Sequence, residues 1–380
     1  MMEAAEQMTI HKSPLEELHR GAGAAMREQD GWALPSAYGE VSAEYEVVRE
    51  GGAGLIDLSA RGRVEVSGAE AVQFLNGLVS NDVKTLADGA WMSAAFPNPQ
   101  GRLIASARVM RRGDSYLFDT EAVTHASLFK TLERFTLAGD FRVADRTSET
   151  AQLSIQGARA PQVVEAALGR EAASVERGRV FTSGWSDASL SIIRATQTGE
   201  DGFELFVDAG RAAPLWEALT AAGARPVGQD ALEILRIEAG LPRYGVDMDE
   251  TNVVTEAPLD DAVSYTKGCY VGQEIIARIH WRGHVAKKLT GLVFSDGREV
   301  EREAKIRAAD GKEIGRITSS AFSPRLGRTI ALAYVKYDFL APGTRARVAA
   351  CDAAREATVT ELPFIRGSWP GAAETPEPGP

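Results

Sequence analysis

Apolar and polar positions change period several times along this chain, and each change marks an element. Ala71, Phe74, Leu75 and Leu78 recur at helical spacing. Just before them, Ser67-Gly68-Ala69-Glu70 places Glu three positions after Ser, which predicts a capping box. Residues 63–66 predict a short strand upstream. Residues 103–110 and 115–119 predict a hairpin turning at Arg112-Gly113-Asp114. A helix is expected over about 123–138 and a strand over 141–144. The order then recurs. Residues 153–156 predict a strand, and Gly157-Ala158-Arg159-Ala160 leads into a helix through Val163, Val164 and Ala167. Gly68-Ala69-Glu70-Ala71 stands in the same register after its own strand. The two stretches predict an internal duplication, each half a sheet covered by helices. A strand over 203–207 and helices over 212–221 and 231–239 complete the second half.

From Lys288 onward the pattern shortens to alternating runs over 289–294, 313–319, 330–335 and 344–348. Asp310-Gly311 and Pro342-Gly343 mark turns between runs. This predicts a small all-β unit closed as a barrel. The expected fold is therefore α+β: two related sheet-plus-helix lobes, residues 12–146 and 147–286, and a C-terminal β-barrel, residues 287–366. Residues 367–380 are rich in Gly, Pro, Ala and Glu and predict a disordered tail.

Composition narrows the function classes. With 380 residues, two or three domains are expected. The 44% apolar and 25% charged content is that of a soluble globular protein. A net charge of −11 argues against general nucleic-acid binding, which needs a basic face. No run of 18 apolar residues predicts a membrane span. Residues 1–10 carry no apolar stretch after a basic start, so no secretory signal is expected. The two cysteines, Cys269 and Cys351, lie far apart, as reduced thiols of a cytoplasmic protein would. Their spacing leaves a disulfide open.

Three stretches carry candidate chemistry. Lys267-Gly268-Cys269-Tyr270-Val271-Gly272-Gln273-Glu274 holds one of the two cysteines between glycines that permit close backbone approach. Between Lys267 and Lys288 stand five basic residues (Lys267, Arg278, Arg282, Lys287, Lys288) and one acid, Glu274. That local positive charge suits a flat ligand with an anionic tail. A helix starting near Gly272 would add its positive end. Cys269, beside that end and Lys267, reads as a reactive thiol; the alternative is a small core cysteine. In Thr198-Gly199-Glu200-Asp201-Gly202, Glu200 stands at a strand mouth, where a carboxylate can accept paired hydrogen bonds from an amino-pyrimidinone edge. The alternative is an acidic hairpin turn. Arg236, near a helix end at Gly240-Leu241-Pro242, fits a structural or a ligand role equally. His280 and His284 have a metal-compatible spacing, but no Glu follows His280 and no further His or Cys pair lies nearby.

Taken in order, these stretches resemble the glycine-cleavage T protein family. The resemblance extends over Ser13-Pro14-Leu15, Gly31-Trp32, Leu55-Ile56-Asp57-Leu58-Ser59, Phe74-Leu75, Ser323-Pro324 and Leu362-Pro363-Phe364. Within that family, Lys-Gly-Cys-Tyr-x-Gly-Gln-Glu resembles the YgfZ-type folate-binding proteins, which act in iron–sulfur protein maturation. The resemblance implies a three-lobed, ring-like fold with a tetrahydrofolate site at its centre. It implies Glu200 as the carboxylate on the pterin; Arg236 and Lys267 are further candidates for ligand contact. Cys269 is then the residue expected to carry chemistry, and iron–sulfur client or assembly proteins are the expected partners. One cysteine at the site predicts no cluster held by this chain alone, since clusters take four ligands.

Two departures stand out. The family's aminomethyltransferases carry an acidic pair after the Gly-rich hairpin; here Ala105 and Ser106 follow Asn98-Pro99-Gln100-Gly101-Arg102, and no general acid/base is evident. The family's aromatic residue before Thr-Gly-Glu is Gln197 here. The expected function is tetrahydrofolate binding in support of iron–sulfur protein assembly or repair. The alternatives are a folate-dependent aminomethyl- or methyltransferase or demethylase, using another acid such as Asp82, and a scaffold that has lost folate.

Overall fold

The structure, a computed structural model, describes residues 10–137, 139–349 and 354–369. Cys351 and residues 370–380 of the expected tail lie outside the described residues. Residues 367–369 do not behave as a loose tail: they pack on the second lobe, as described below.

Two sheets, of five and six strands, form the first two lobes and share the order of their first four strands. The first runs Trp91–Pro97, Leu103–Arg112, Ser115–Thr120, Gly62–Ser67, Arg142–Asp145. The second runs Val180–Trp185, Ala188–Arg194, Gly202–Asp208, Thr150–Gln156, Gly54–Asp57, Arg225–Pro226. In each, a strand enters a helix, a three-strand meander follows, and a second helix packs behind. These helices are Ala71–Leu78 and Ala122–Glu133 in the first lobe, and Ala160–Leu168 and Ala212–Ala221 in the second. The repeated glycine has a physical reason in both copies. Gly68 sits at φ +121° and Gly157 at φ +130°, and a Cβ on either would strike a backbone carbonyl, Asp140 O or Gly52 O.

One boundary departs from chain order. Gly54–Asp57 pairs with Thr150–Gln156, so this early strand belongs to the second sheet and not to a first lobe spanning 12–146. The capping box does not form either. The helix Ala71–Leu78 has no side-chain cap, and Glu70 reaches across to the Asp140 amide at 2.8 Å instead.

Strand alternation sorts the side chains. Ala105, Ala107 and Val109 turn into the first lobe's core with Phe96 and Phe118, while Phe203, Leu205 and Val207 turn into the second's with Leu153 and Trp216. The other faces of the two sheets meet each other, where Met110 packs on Ile193, Ala195 and Phe206. Ser106 and Arg108 share Met110's face, and Glu204 shares that of Phe206. Polar side chains in the middle of both sheets are thereby aimed at the junction between lobes.

The C-terminal unit is a closed barrel in the order Lys287–Phe294, Arg328–Lys336, Glu313–Ser323, Lys305–Arg307, Arg345–Val348, Arg355–Thr360. Closure leaves no free sheet edge. The helix Gln229–Glu238 bridges the second lobe to the barrel, with Ile237 packed on Leu332 and Tyr334. No helix among the described residues is long and apolar enough to cross a membrane.

Candidate functional site

Where the inner faces diverge, they leave a cavity of about 310 Å³, within the size range of small-molecule sites. Its walls come from the first sheet (Trp91, Ser106, Arg108), the end of the second (Thr196, Gln197), the loop through Leu259 and Asp261, and Trp369 near the C-terminus. No barrel strand contributes. A smaller chamber of about 100 Å³ adjoins it and shares Arg61, Glu121, Gln197, Leu241 and Pro242 as walls.

The cavity's polar side is one connected network. Arg108 Nη1 donates to both oxygens of Glu204 at 2.6 Å and to Asp119 at 3.3 Å. Gln197 Nε2 and Gln152 Nε2 each donate to Glu204 at 2.7 Å. Arg61 donates to Asp119 at 2.6 Å and to Glu121 at 2.7 Å. Burial works against the Arg61 charge, but Asp119, Glu121 and Glu204 more than offset it and hold the guanidinium protonated. Glu204 and Asp119 have no solvent exposure. Buried carboxylates persist only when paired in this way.

Two buried polar atoms at this network have no partner: the Trp91 indole Nε1, a donor in the cavity wall, and Oε1 of Gln152, which lines neither chamber but holds Glu204 from behind. Buried polar atoms are nearly always satisfied, so the orphaned indole N–H in the wall marks a place for a ligand or water. With two indoles in the wall, the residues present suit a flat heterocycle that both donates and accepts hydrogen bonds.

The four side chains singled out from sequence are not brought together. Glu200 lines neither chamber. Arg49 takes its Oε1 at 2.6 Å, and the Ser368 amide and hydroxyl take its Oε2 at 2.7 and 2.6 Å. Arg236 edges the smaller chamber, but acceptors surround all five of its donors: Glu233 at both oxygens, the Leu241 carbonyl, Asp247 and Ser319. Burial opposes its charge, and Asp247 with Glu233 more than restores it. Lys267 Nζ donates to the carbonyls of Asn76, Val79 and Asn81 at 2.8, 2.8 and 2.6 Å, at the end of the helix Ala71–Leu78. Burial pushes this ammonium down to about 8, with Asp82 opposing and Lys84 adding to the effect. Cys269 is exposed and lines neither chamber. A single pocket joining Glu200 to Cys269 is not what the geometry shows.

The glycines around Cys269 also resolve differently. Gly272 packs on the chain's own turn, where a Cβ would strike Asn98 O, and Gly268 faces open space. The helix Gln273–Arg282 does begin there. His280 stacks on Tyr265 and His284 on Tyr337, and no group of three potential metal ligands occurs among the described residues.

Glu204, Arg108 and Trp91 were not among the sequence candidates. A signal existed for Glu204: an acid inside the apolar run Phe203-Glu204-Leu205-Phe206 occupies a strand face that must be covered.

Residues 15–267 match the GCVT N-terminal domain, and residues 287–365 match the glycine cleavage T-protein C-terminal barrel domain. The chain belongs to the glycine-cleavage T-protein family. An aminomethyltransferase of Rubrobacter xylanophilus is 35% identical over 88% of this chain and 89% of its own length. One from Geobacillus kaustophilus is 33% identical over 94% of this chain and 99% of its own. The crystal structure of the glycine cleavage system aminomethyltransferase T from Bartonella henselae superimposes with a TM-score of 0.87, at 26% identity, covering 94% of this chain and 98% of that one. Against that family background, the position of Ala105 and Ser106 gains meaning. Ala105 points into the first lobe's core, whereas Ser106 lines the cavity. Asp261 places a second carboxylate in the cavity wall in addition to Glu121, and it accepts from Ser93 Oγ at 2.8 Å. Asp82 does not line the cavity.

Proposed function

We propose that this chain binds tetrahydrofolate, with the pterin in the 310 Å³ cavity between the lobes, and that it supports iron–sulfur protein assembly or repair. The observation that carries folate binding is the orphaned Trp91 Nε1 in a wall that also presents Arg108 and Gln197, both held by Glu204. A reduced pterin presents a flat ring with alternating donors and acceptors along one edge. Arg108 and Gln197 would meet that edge, and Trp91 and Trp369 would meet the ring. Glu204 holds Arg108 and Gln197 in place from behind. When bound, tetrahydrofolate supplies nitrogens that accept or release a one-carbon unit.

The residues lining the cavity favour binding over aminomethyl transfer. Ser106 replaces the acid, and a neutral hydroxyl is a poor proton donor or acceptor near pH 7. The iron–sulfur role rests on the octapeptide's resemblance to YgfZ-type proteins. The exposed position of Cys269 suits contact with a protein partner and not with the pterin. A second reading, aminomethyl transfer, is favoured by the named relatives and has one observation behind it: Asp261 reaches the cavity wall.

Calorimetric titration with tetrahydrofolate, followed by an assay for turnover of an aminomethyl donor, separates these readings. Binding without turnover is expected, together with weaker binding by Arg108→Ala. Turnover that disappears in Asp261→Asn would establish the second reading instead. Absence of binding would remove both.

A further inference from the structure

Glu200 is almost fully buried at 6% exposure, yet it faces neither chamber. What it holds is the C-terminal end of the described chain. After the barrel's last strand, Arg355–Thr360, the backbone returns to the second lobe. The Ile365 amide donates to the Glu238 carbonyl at 3.1 Å and the Trp369 amide to the Gly199 carbonyl at 3.2 Å. Ser368 donates twice to Glu200, and its hydroxyl also accepts from the Asp201 amide at 3.0 Å. Gly367 lies so close that a Cβ there would strike Gly199 O and come within 2.5 Å of Glu200 Oε1. Only glycine allows that approach.

This fastening has one product on the cavity side: Trp369 becomes part of the wall. Arg177, itself a wall residue, stands 4.6 Å from the centre of the indole. Ordering three residues of a strap costs backbone entropy. The hydrogen bonds to Glu200, Gly199 and Asp201 offset it, and the aromatic face is presented at no further cost when a ligand arrives.

We propose that residues 367–369 are a built strap whose function is to deliver Trp369 as a ring-stacking contact for the cavity's ligand, with Glu200 as its anchor. This rests on the reading of the cavity as a tetrahydrofolate site. The Thr-Gly-Glu-Asp-Gly turn then serves binding indirectly: its glutamate positions the indole and does not touch the ligand.

The test is calorimetric affinity for tetrahydrofolate in the full-length protein. Trp369→Ala is expected to weaken binding about tenfold, a typical loss for a removed stacking partner. Trp369→Phe should recover most of it. Gly367→Val, which unseats the strap without touching the cavity, should match Trp369→Ala. The double variant should bind no more weakly than either single one, because both remove the same contact. Circular dichroism and a thermal melt of each variant confirm folding. Wild-type affinity in Trp369→Ala, or additive losses in the double variant, would overturn the strap. In either case Arg108→Ala still reports on the cavity: weaker binding there shows that only the strap inference has failed, whereas no binding by the wild type defeats the cavity reading itself.

Discussion

Three backbone carbonyls converge on Lys267 Nζ: Asn76 in the last turn of a helix, whose final carbonyls lack intrahelical partners, Val79 at its cap and Asn81 just beyond it. This lysine closes the helix and staples the Cys269 loop to the first lobe. Lys267→Met would strand those buried acceptors, and the unfolding free energy should fall by about 3 kcal/mol in denaturant titrations. Tetrahydrofolate affinity should not change. A normal midpoint with lost affinity would return Lys267 to the ligand. The pH dependence has a sign too. The folded state titrates near 8 and the unfolded side chain near about 10.4. Between these values the unfolded state holds a proton that the folded state has released, so wild-type stability gains with pH in that window, and the Met variant lacks the gain. At this scale the sequence showed which residues matter but not what they touch. Thr-Gly-Glu-Asp-Gly is legible as a special turn. That Ser368, 168 positions away, would occupy Glu200 is a tertiary fact with no local trace.

Gly272 shows how an element boundary acquires a tertiary role. It starts the helix Gln273–Arg282 with φ +77° and packs on the Asn98–Gly101 turn, whose Gly101 sits at φ +71° against Ile275. Two turns from different parts of the chain thus fit by having no side chains between them. Gly272→Ala meets both the left-handed backbone and the Asn98 carbonyl, and should cost about 2–3 kcal/mol; a melt equal to wild type would show that the contact is loose. The helix start was legible because Gly268 and Gly272 punctuate the chain just before an amphipathic run. The barrel strands at 289–294 and 330–335 were legible for the same reason, their apolar runs being bounded by turns. Lys305–Arg307 and Arg355–Thr360 were not: each is short, and charges interrupt its apolar positions. The capping box misled because Gly68's φ of +121° bends the chain away from the geometry that Ser67 needs, and Asp140 offers Glu70 a better amide.

The whole molecule is held by buried charge as much as by its separate cores. Glu238 accepts from Tyr45 at 2.9 Å, Arg49 at 3.0 Å and barrel Ser323 at 2.5 Å. Two residues earlier, Arg236 donates to Asp247 at 2.5 Å and to barrel Ser319 at 2.6 Å, while Asp247 accepts from Thr318 and Ser319 at 2.6 Å. One helix therefore carries two ionic pins, and each reaches the same barrel strand, Glu313–Ser323. Gly-Ala-x-Ala made the duplication of the lobes visible, because each copy needs the same glycine. The transfer of Gly54–Asp57 to the second sheet was hidden, since strand pairing is non-local. So was the docking of the barrel, which depends on Arg236 facing inward and not toward a ligand. Arg236→Met tests that docking. It leaves Asp247, with no solvent exposure, bearing a charge without its counter-ion, and breaking such a pair costs about 3–5 kcal/mol. Because the loss falls on the junction and not on any one core, the barrel should lose its coupling to the lobes. Calorimetry should then resolve two transitions, the first well below the wild-type melt. A single transition at the wild-type temperature would mean that the apolar packing of Ile237 on Leu332 and Tyr334 holds the barrel alone.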